Sequence, residues 1–298
     1  MIKIRKCIFL LFLMLFFADN DGLAQKESIV HSSDSTVITN HYRKLSIGLN
    51  RPVFRDFATS PLFYNGTGIA LALGFNKVSP KMERSLDISG SFNMMQARIP
   101  DSEYLQASSN SRFVNLNLRY LRLWALGRFS SERNKLKVGG VFLSSQNLRI
   151  NPALQNNRTG LENLTNVMLS TQLNRDISRK QSRTINLLFF KPKLKEVRRE
   201  LRFQLNIGVL NFNYRPTYAY LFHESMGNTD ESKGRKNELS MNGWRFGTEI
   251  EISRFLFNGN MRSIAYLWDA VHAPGSYSPF QMASHQIRYS IYFQTKKR

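Results

Sequence analysis

The clearest structural pattern in the sequence is the alternation of side chains in Gly68-Ile69-Ala70-Leu71-Ala72-Leu73-Gly74-Phe75-Asn76. Its odd positions carry large apolar side chains, and its even positions carry small or polar ones. Successive side chains of a β-strand point to opposite faces, so this period of two predicts a strand with one apolar and one polar face.

The same alternation recurs along most of the chain, for example in 86–94, 114–120, 203–209 and 287–293. Extended over the whole sequence, it predicts strands near 43–51, 66–78, 82–97, 111–126, 135–148, 162–177, 183–191, 200–212, 216–223, 240–256, 261–269 and 284–295. After residue 25 no stretch approaches the length of uncharged apolar sequence that a transmembrane helix needs. The sequence therefore predicts an all-β protein.

The links between these predicted strands tend to alternate in length. Long links are expected at 52–65, 98–110, 149–161, 224–239 and 270–283, and short ones at 79–81, 178–182, 213–215 and 257–260. Tight turns at one end and longer loops at the other are typical of bacterial outer-membrane barrels. We therefore predict a single antiparallel transmembrane β-barrel over 43–298, with about twelve strands (range ten to fourteen) and periplasmic termini. A secreted β-sandwich is the alternative, since its strands alternate in the same way.

The first residues have the pattern of a secretory signal peptide. Lys3, Arg5 and Lys6 precede an apolar run from Cys7 to Phe17, and the chain then reaches Gly22-Leu23-Ala24, with a small residue at a plausible cleavage point. The run, about eleven residues long, is too short to span a bilayer as a helix. We expect 1–24 to be removed, together with the chain's one cysteine, and 25–42 to form a short periplasmic leader.

The predicted signal peptide, the alternating strands and the last strand together resemble bacterial outer-membrane β-barrel proteins as a class. Tyr289, Ile291 and Phe293 carry the apolar parity of that last strand. In this class the final strand, which ends in an aromatic residue, is recognised by the barrel-assembly machinery. The resemblance thus implies an outer-membrane location and that machinery as a partner. Residues 294–298 extend past Phe293, where many members stop, and no motif indicates a particular transporter or enzyme family.

The formal net charge of +21 calls for anionic partners. No nucleic-acid-binding motif is present and export is expected, so we predict outer-membrane lipids and lipopolysaccharide rather than nucleic acid. The densest basic run falls in a link that we expect outside the cell. It is either a lipopolysaccharide-binding patch or a solvated hairpin, and it comprises Lys191, Lys193, Lys195, Arg198 and Arg199.

Polar and charged residues on the polar parity of the predicted strands should face the lumen. They are Asp87, Arg119, Arg202, Arg245, Glu249, Glu251, Gln286 and Arg288. A charge inside a barrel must be paired or hydrated. Two interpretations stay open: a water path biased by arginine towards anions, or an internal salt-bridge network that plugs a narrow barrel.

The first functional hypothesis is a channel or transport protein for small solutes, anions among them. The alternative is a non-conducting barrel that acts as an envelope scaffold or binds a partner. The weakest is a lipid-modifying hydrolase, which would use His223, His272 or His285 near the external strand ends. The sequence has no catalytic serine motif and no metal-ligand spacing, so we predict no enzyme, no cofactor and no metal.

Overall fold

The computed structural model describes residues 39–98, 108–184, 193–194, 196–216, 237–274 and 279–297. In these ranges the strands are β1 Asn40–Asp56, β2 Ser60–Val78, β3 Met82–Arg98, β4 Ser108–Ala125, β5 Asn134–Ile150, β6 Thr159–Asp176, β7 Arg183–Thr184, β8 Lys193–Leu194, β9 Arg199–Pro216, β10 Asn237–Ser240, β11 Trp244–Phe255, β12 Met261–Ala273 and β13 Phe280–Lys297. Short 3₁₀ turns cover Gly127–Phe129 and Pro152–Asn157. No helix among the described residues is long and apolar enough to cross a membrane.

The long strands form a closed antiparallel barrel. Each pairs with its neighbour in chain order, β6 pairs with β9, and β13 pairs with β1 along their whole length to close the ring. The barrel wall therefore holds ten strands: β1 to β6, β9 and β11 to β13. Closure leaves no barrel strand with an unpaired edge.

Side-chain burial follows the parity that the sequence predicts, with the apolar face outside. Along β2 the odd positions Ile69, Leu71, Leu73 and Phe75 are exposed, while the even positions between them are buried. Polar side chains fill most of the inward face, such as Lys44, Asn93, Glu162 and Gln204. A soluble sandwich would bury the opposite face, so the burial pattern identifies a barrel surrounded by an apolar medium.

The wall has ten strands, which is two fewer than the expected twelve but within the predicted range of ten to fourteen, because the predicted strands 183–191 and 216–223 add no strand of their own to it. Of the segment 183–191, only Arg183–Thr184 is described as a strand, and it pairs with β8 in a separate two-stranded ladder. The segment 216–223 contributes Pro216 to the end of β9, and its remainder lies outside the described residues. Alternating apolar residues make a segment strand-prone, but they do not determine which partner it pairs with.

The first predicted long link is wrong, because 52–65 is mostly strand and only 57–59 separates β1 from β2. Pro52 lies inside β1 although it has no N–H to donate to a ladder. In the structure the ladder between β1 and β2 lapses at Arg51 and Pro52, whereas β1 stays paired with β13 at both positions. A proline is tolerated in a strand where one ladder is interrupted.

We call the end of the barrel that carries Asn40 and Lys297 the terminal end, and the other the distal end. The links 79–81, 126–133, 177–198 and 256–260 lie at the terminal end. The described residues of the predicted basic run, Lys193, Arg198 and Arg199, are therefore at the end that carries Asn40 and Lys297, so they cannot be external if that end is periplasmic. The physical reason is that β6 and β9 pair directly, which leaves no place in the wall for another strand between them.

A β-bulge in β9 reverses the parity of its distal half. Val167 pairs with Leu210 and Met168 pairs with Gly208, so Val209 is an extra residue in β9. Beyond the bulge, odd-numbered residues face inwards, and Asn211, Asn213 and Arg215 are buried. The predicted strand 240–256 is divided in the structure. Its first residue ends β10, which pairs with β9, and β11 begins after a break at 241–243.

Candidate functional site

The lumen is the candidate functional site, because the buried ionisable side chains converge there. Its described charges are balanced: the basic side chains equal the carboxylates in number, so the lumen is not biased towards arginine. The basic group is Lys44, Arg119, Lys137, Arg149, Arg202, Arg215, Arg245 and Arg288, and the acidic group is Asp56, Glu83, Asp87, Glu162, Glu200, Glu249, Glu251 and Asp269.

We define the distal cluster as Asp56, Arg149, Glu162 and Arg215. Arg149 Nη2 donates to Asp56 Oδ2 at 2.6 Å and to Glu162 Oε1 at 3.0 Å. Arg215 Nη2 donates to Asp56 Oδ1 at 2.7 Å. The four residues belong to β5, β1, β6 and β9, so this cluster connects opposite sides of the wall. Charge-assisted hydrogen bonds of this length are among the stronger ones in proteins.

An aromatic cluster adjoins the distal cluster and consists of Phe54, Tyr64, Phe113 and Phe280. Phe113 pairs with Arg149 and Phe280 pairs with Asp56 in the strand register. The Phe54 ring stacks on Tyr64 at 5.1 Å and on Phe113 at 5.3 Å between ring centroids. Each of the four side chains is fully buried. These rings come from four strands of the wall and meet inside the lumen, where a hydrated pore would instead be lined by polar groups.

The two clusters also contact each other. The Arg149 guanidinium lies 5.4 Å from the centroid of the Phe54 ring, and that of Arg215 lies 5.5 Å from the centroid of Phe280. A guanidinium at this distance is attracted to the face of the ring. The distal cluster and the aromatic cluster together thus close the distal part of the lumen.

The terminal end has its own network, which we call the terminal cluster: Glu83, Lys137, Gln172, Arg202 and Glu251. Lys137 Nζ bonds to Glu83, and Gln172 donates to the same carboxylate at 2.9 Å. Arg202 Nη1 lies 3.1 Å from Glu251 Oε2 and 3.9 Å from Glu83 Oε1. The cluster therefore bridges the lumen from β3 to β9 and β11.

Between these closures lies a cavity of about 140 Å³. Asp87 on its wall bonds to Lys44 and lies 3.8 Å from Arg119, whose Nη1 is 3.6 Å from Glu249 Oε2. Arg119 and Glu249 come from β4 and β11, so the lumen is crossed at this height too. A polar cavity of this size holds several water molecules.

Two further arginines line the cavity. Arg245 donates from Nε and Nη2 to the two carboxylate oxygens of Asp269, at 3.0 and 2.9 Å, and from Nη1 to Asn166 at 3.0 Å. Arg288 Nη2 donates to Gln286 at 3.0 Å. The structure thus places all eight predicted lumen residues inside the barrel, Asp87, Arg119, Arg202, Arg245, Glu249, Glu251, Gln286 and Arg288, in the cavity or the terminal cluster.

Sequence reasoning missed the distal cluster entirely and missed Lys44, Glu83 and Lys137. Asp56 and Arg149 fell in stretches that were predicted as links, because the strands extend further than their most regular parts. Glu83 lies on the same face of β3 as Asp87, four residues away, so the parity that selected Asp87 would also have selected Glu83 as a lumen residue.

Two glycines make room for the ion pairs. Gly74 lies on β2 between β1 and β3, where a Cβ atom would collide with Asp87 and reach within 2.9 Å of Lys44 Cε. A Cβ on Gly160 would lie 2.5 Å from Arg149 Nη2 and 3.0 Å from Glu162 Oε1. Glycine at these strand positions allows side chains of neighbouring strands to meet across it.

The candidate histidines and the basic run lie elsewhere. His272 and His285 are on the outward face, where His285 Nδ1 lies 2.7 Å from Tyr266 Oη and His272 stacks on Trp244. Ser284, the neighbour of His285, faces inwards, so the two side chains lie on opposite faces of β13. His223 lies outside the described residues.

The described part of the predicted basic run lies at the terminal end. Arg198 stacks on Phe255 at 4.3 Å, Arg199 begins β9, and Lys193 belongs to β8. Lys191 and Lys195 lie outside the described residues. Among the described residues, no group of His, Cys, Asp and Glu could hold a metal ion.

No protein family model matches the chain, and no curated protein matches it significantly. Among solved structures, the outer membrane protease OmpT from Escherichia coli aligns with a TM-score of 0.53 at 7% identity, covering 90% of this chain and 99% of that one. The transport unit of the autotransporter AIDA-I from Escherichia coli covers 88% and 93% at 8% identity, with a TM-score of 0.38. An outer membrane channel from Pseudomonas putida F1 covers 89% and 100% at 11% identity, with a TM-score of 0.28.

Only the first alignment is close enough to support an argument, and at 7% identity it concerns the fold and not the activity. It agrees with the closed antiparallel sheet and with the inverted burial pattern described above. The chain therefore has an outer-membrane β-barrel fold.

Proposed function

We propose that this chain is an integral outer-membrane protein with a closed lumen, acting as an envelope scaffold or partner-binding barrel rather than as an open pore. The observation that carries the proposal is the set of side-chain contacts that cross the lumen at successive heights. Arg149 and Arg215 meet at Asp56, Arg119 meets Glu249, and Arg202 lies between Glu83 and Glu251.

The strand number supports this proposal. The interior of a barrel of about eight strands is just wide enough to be filled by side chains, and aqueous channels appear in barrels of about sixteen. With ten strands, the arginine and lysine side chains are long enough to reach across. Because their carboxylate partners are equally numerous, opening the lumen would separate several buried ion pairs at once.

An outer-membrane location follows from the same proposal. The outward face of the wall is apolar, and the exposed fractions of Leu49, Leu71 and Ile207 are 70%, 59% and 44%. Such a surface needs lipid or detergent around it. The binding regions of a closed barrel are its two ends, and the long link 177–198 makes the terminal end one candidate.

The test combines heat-modifiability with planar-bilayer conductance. The protein is extracted from outer membranes, and unboiled and boiled samples are compared on an SDS gel. We expect a faster-running unboiled band, which indicates a closed SDS-resistant barrel, together with no stepwise conductance in a bilayer where a sixteen-stranded porin conducts. Stable open-channel steps from the folded protein would overturn the closed-lumen proposal. A protein without a mobility shift that fractionates as soluble would overturn the membrane location.

The cavity favours a second candidate function, a gated channel for small solutes. It is lined by Arg119, Arg245 and Arg288 and already holds space for small polar molecules between the closures. This candidate requires the distal or terminal cluster to open. It predicts conductance that appears only above a threshold voltage, and the absence of conductance at every voltage excludes it.

A further inference from the structure

The outward face of the barrel carries basic side chains in a ring near the terminal end. We name this ring the basic belt, and its members are Arg43, Lys77, Arg84, Arg122, Arg175, Arg199, Arg254 and Arg262. Arg122 occupies an outward position of its strand, but its side chain is buried, so the other seven form the accessible part of the belt. They come from β1, β2, β3, β4, β6, β9, β11 and β12, each within a few residues of the strand's terminal end. By contrast, no Asp or Glu occupies an outward position on any described strand of the barrel wall. The belt and the link residues therefore account for much of the excess positive charge, since the lumen is balanced.

Several members of the belt face like charges. Lys77 is directly opposite Arg84, and Arg84 is directly opposite Arg122. On the other side of the barrel, Arg254 is directly opposite both Arg199 and Arg262. Like charges at paired positions of neighbouring strands destabilise a sheet. At Arg199, Arg254 and Arg262 an external anion would offset this repulsion. The pairing of like charges in the strand register therefore favours the binding of anions at the belt.

The belt lies at the edge of the apolar band, where lipid headgroups are found. On β4, Arg122 and Arg112 bracket the stretch 113–121, whose outward residues include Leu116 and Leu118. This stretch matches the roughly nine to eleven residues with which a tilted strand crosses the hydrocarbon core. The Arg122 guanidinium also lies 5.1 Å from the centroid of Trp124, which is 44% exposed. Tryptophan beside a cation at this height is typical of a membrane interface.

We propose that the basic belt binds the phosphate groups of anionic phospholipids in the leaflet at the terminal end. This inference rests on the membrane location proposed above. The expected ligand is phospholipid rather than lipopolysaccharide, because the belt lies at the terminal end and we expect that end to be periplasmic. Guanidinium groups bind phosphate through two parallel hydrogen bonds, and successive strands of the wall place them around the circumference.

The experiment uses the folded full-length barrel in detergent and counts retained lipids by native mass spectrometry. The probes are phosphatidylglycerol, phosphatidylcholine, lipid A and inorganic phosphate. The belt variant is Arg254→Gln with Arg262→Gln, and the matched control is Arg51→Gln with Arg112→Gln. All four arginines are exposed and outward, but the control pair lies towards the distal end.

We expect wild-type protein to retain phosphatidylglycerol in preference to phosphatidylcholine, and the belt variant to bind it about fivefold more weakly for each removed charge. The control variant should bind phosphatidylglycerol like wild type. Equal losses in both variants, no loss in the belt variant, or a preference for lipid A would overturn the proposal. Displacement of the lipid by millimolar inorganic phosphate would also overturn it, since the site would then recognise a free anion.

Failure of this inference is distinguishable from failure of the proposed function. If the barrel inserts into phosphatidylcholine vesicles and shows the heat-dependent mobility shift, but neither variant changes lipid binding, only the belt proposal fails. If the barrel does not insert into vesicles of any lipid composition, the proposed membrane location itself fails.

Discussion

Arg149 Nη2 lies 2.6 Å from Asp56 Oδ2, although the two residues belong to β5 and β1 and three other strands separate them along the wall. The backbone ladders connect only adjacent strands, so this pair adds a tie through the interior. Asp56 is also the end of β1 and accepts a hydrogen bond from Ala58 N, which fixes the tight turn into β2. One carboxylate thus joins a turn to two distant strands.

Asp56→Asn is expected to destabilise the barrel strongly. The substitution leaves Arg215 without its carboxylate and Arg149 with only Glu162. Removing one partner of a buried ion pair costs roughly 3–5 kcal/mol, because a charge stays buried without compensation. The free energy of unfolding should be measured by urea titration in lipid vesicles. Glu132→Gln, in the exposed turn between β4 and β5, is the control and should change it by less than about 1 kcal/mol. Equal stability of Asp56→Asn and wild type would mean that the cluster does not hold the wall together.

Opening one closure alone should not produce a pore. Phe54→Ala removes the centre of the aromatic cluster, but the distal and terminal clusters still cross the lumen. We expect this single variant to be non-conducting. The combination of Phe54→Ala with Arg119→Ser, Arg149→Ser, Arg202→Ser and Arg215→Ser removes every crossing described above and is expected to conduct in planar bilayers. The heat-dependent mobility shift establishes that each variant is folded. Conductance by Phe54→Ala alone would show that the aromatic cluster is the only barrier.

Gly74→Ala should lower the thermal unfolding temperature in detergent. Its added methyl group would occupy the space through which Lys44 reaches Asp87, so the pair must separate or the strands must shift. Overpacking of this kind costs roughly 1–3 kcal/mol. Gly127→Ala is the matched control, because a Cβ there meets no atom within 4 Å. If both variants melt with wild type, the space at Gly74 is not required by the ion pair.

Leu116→Arg tests where the membrane lies on the wall. Leu116 is 56% exposed and outward near the middle of β4. An arginine on the lipid face at the bilayer midplane costs about 2–4 kcal/mol of folding free energy, falling to about 0–1 near the interface. Asn110→Arg, on the same face of β4 beyond Arg112, is expected to cost little. Folding free energies in vesicles should therefore differ between the two variants, and equal costs would place the membrane elsewhere.

The sequence alone predicted the fold class and the outward apolar parity, because a period of two is a local property. Ten of the twelve predicted strands, such as 82–97 and 261–269, each overlap a different strand of the barrel wall. It did not predict the strand count, since membership of the wall depends on pairing between distant segments. Residues 183–191 are as strand-prone as their neighbours, yet β6 pairs with β9 instead.

The candidate site was predicted in part for the same reason. Arg119, Glu249 and Glu251 were selected by parity inside regular strands. Asp56 and Arg149 lie near strand ends, where proline and polar residues obscure the alternation. Which cation meets which carboxylate depends on the register around the whole ring. Neither the pair Arg149–Asp56 nor Arg119–Glu249 was predictable from a one-dimensional pattern.

The basic belt has a consequence for the direction in which the barrel enters the membrane. Moving an arginine or lysine through the bilayer centre costs about 2.5–3.5 kcal/mol even on the most lenient scale, and the belt carries such a side chain on most strands. If the terminal end entered first, all of these side chains would have to cross the hydrocarbon together. If the distal end enters first, the belt stops at the surface from which the chain approached. The distal end carries fewer outward basic side chains, such as Arg51 and Arg112, so entry with the distal end first costs less and leaves most of the cationic side chains at the entry side.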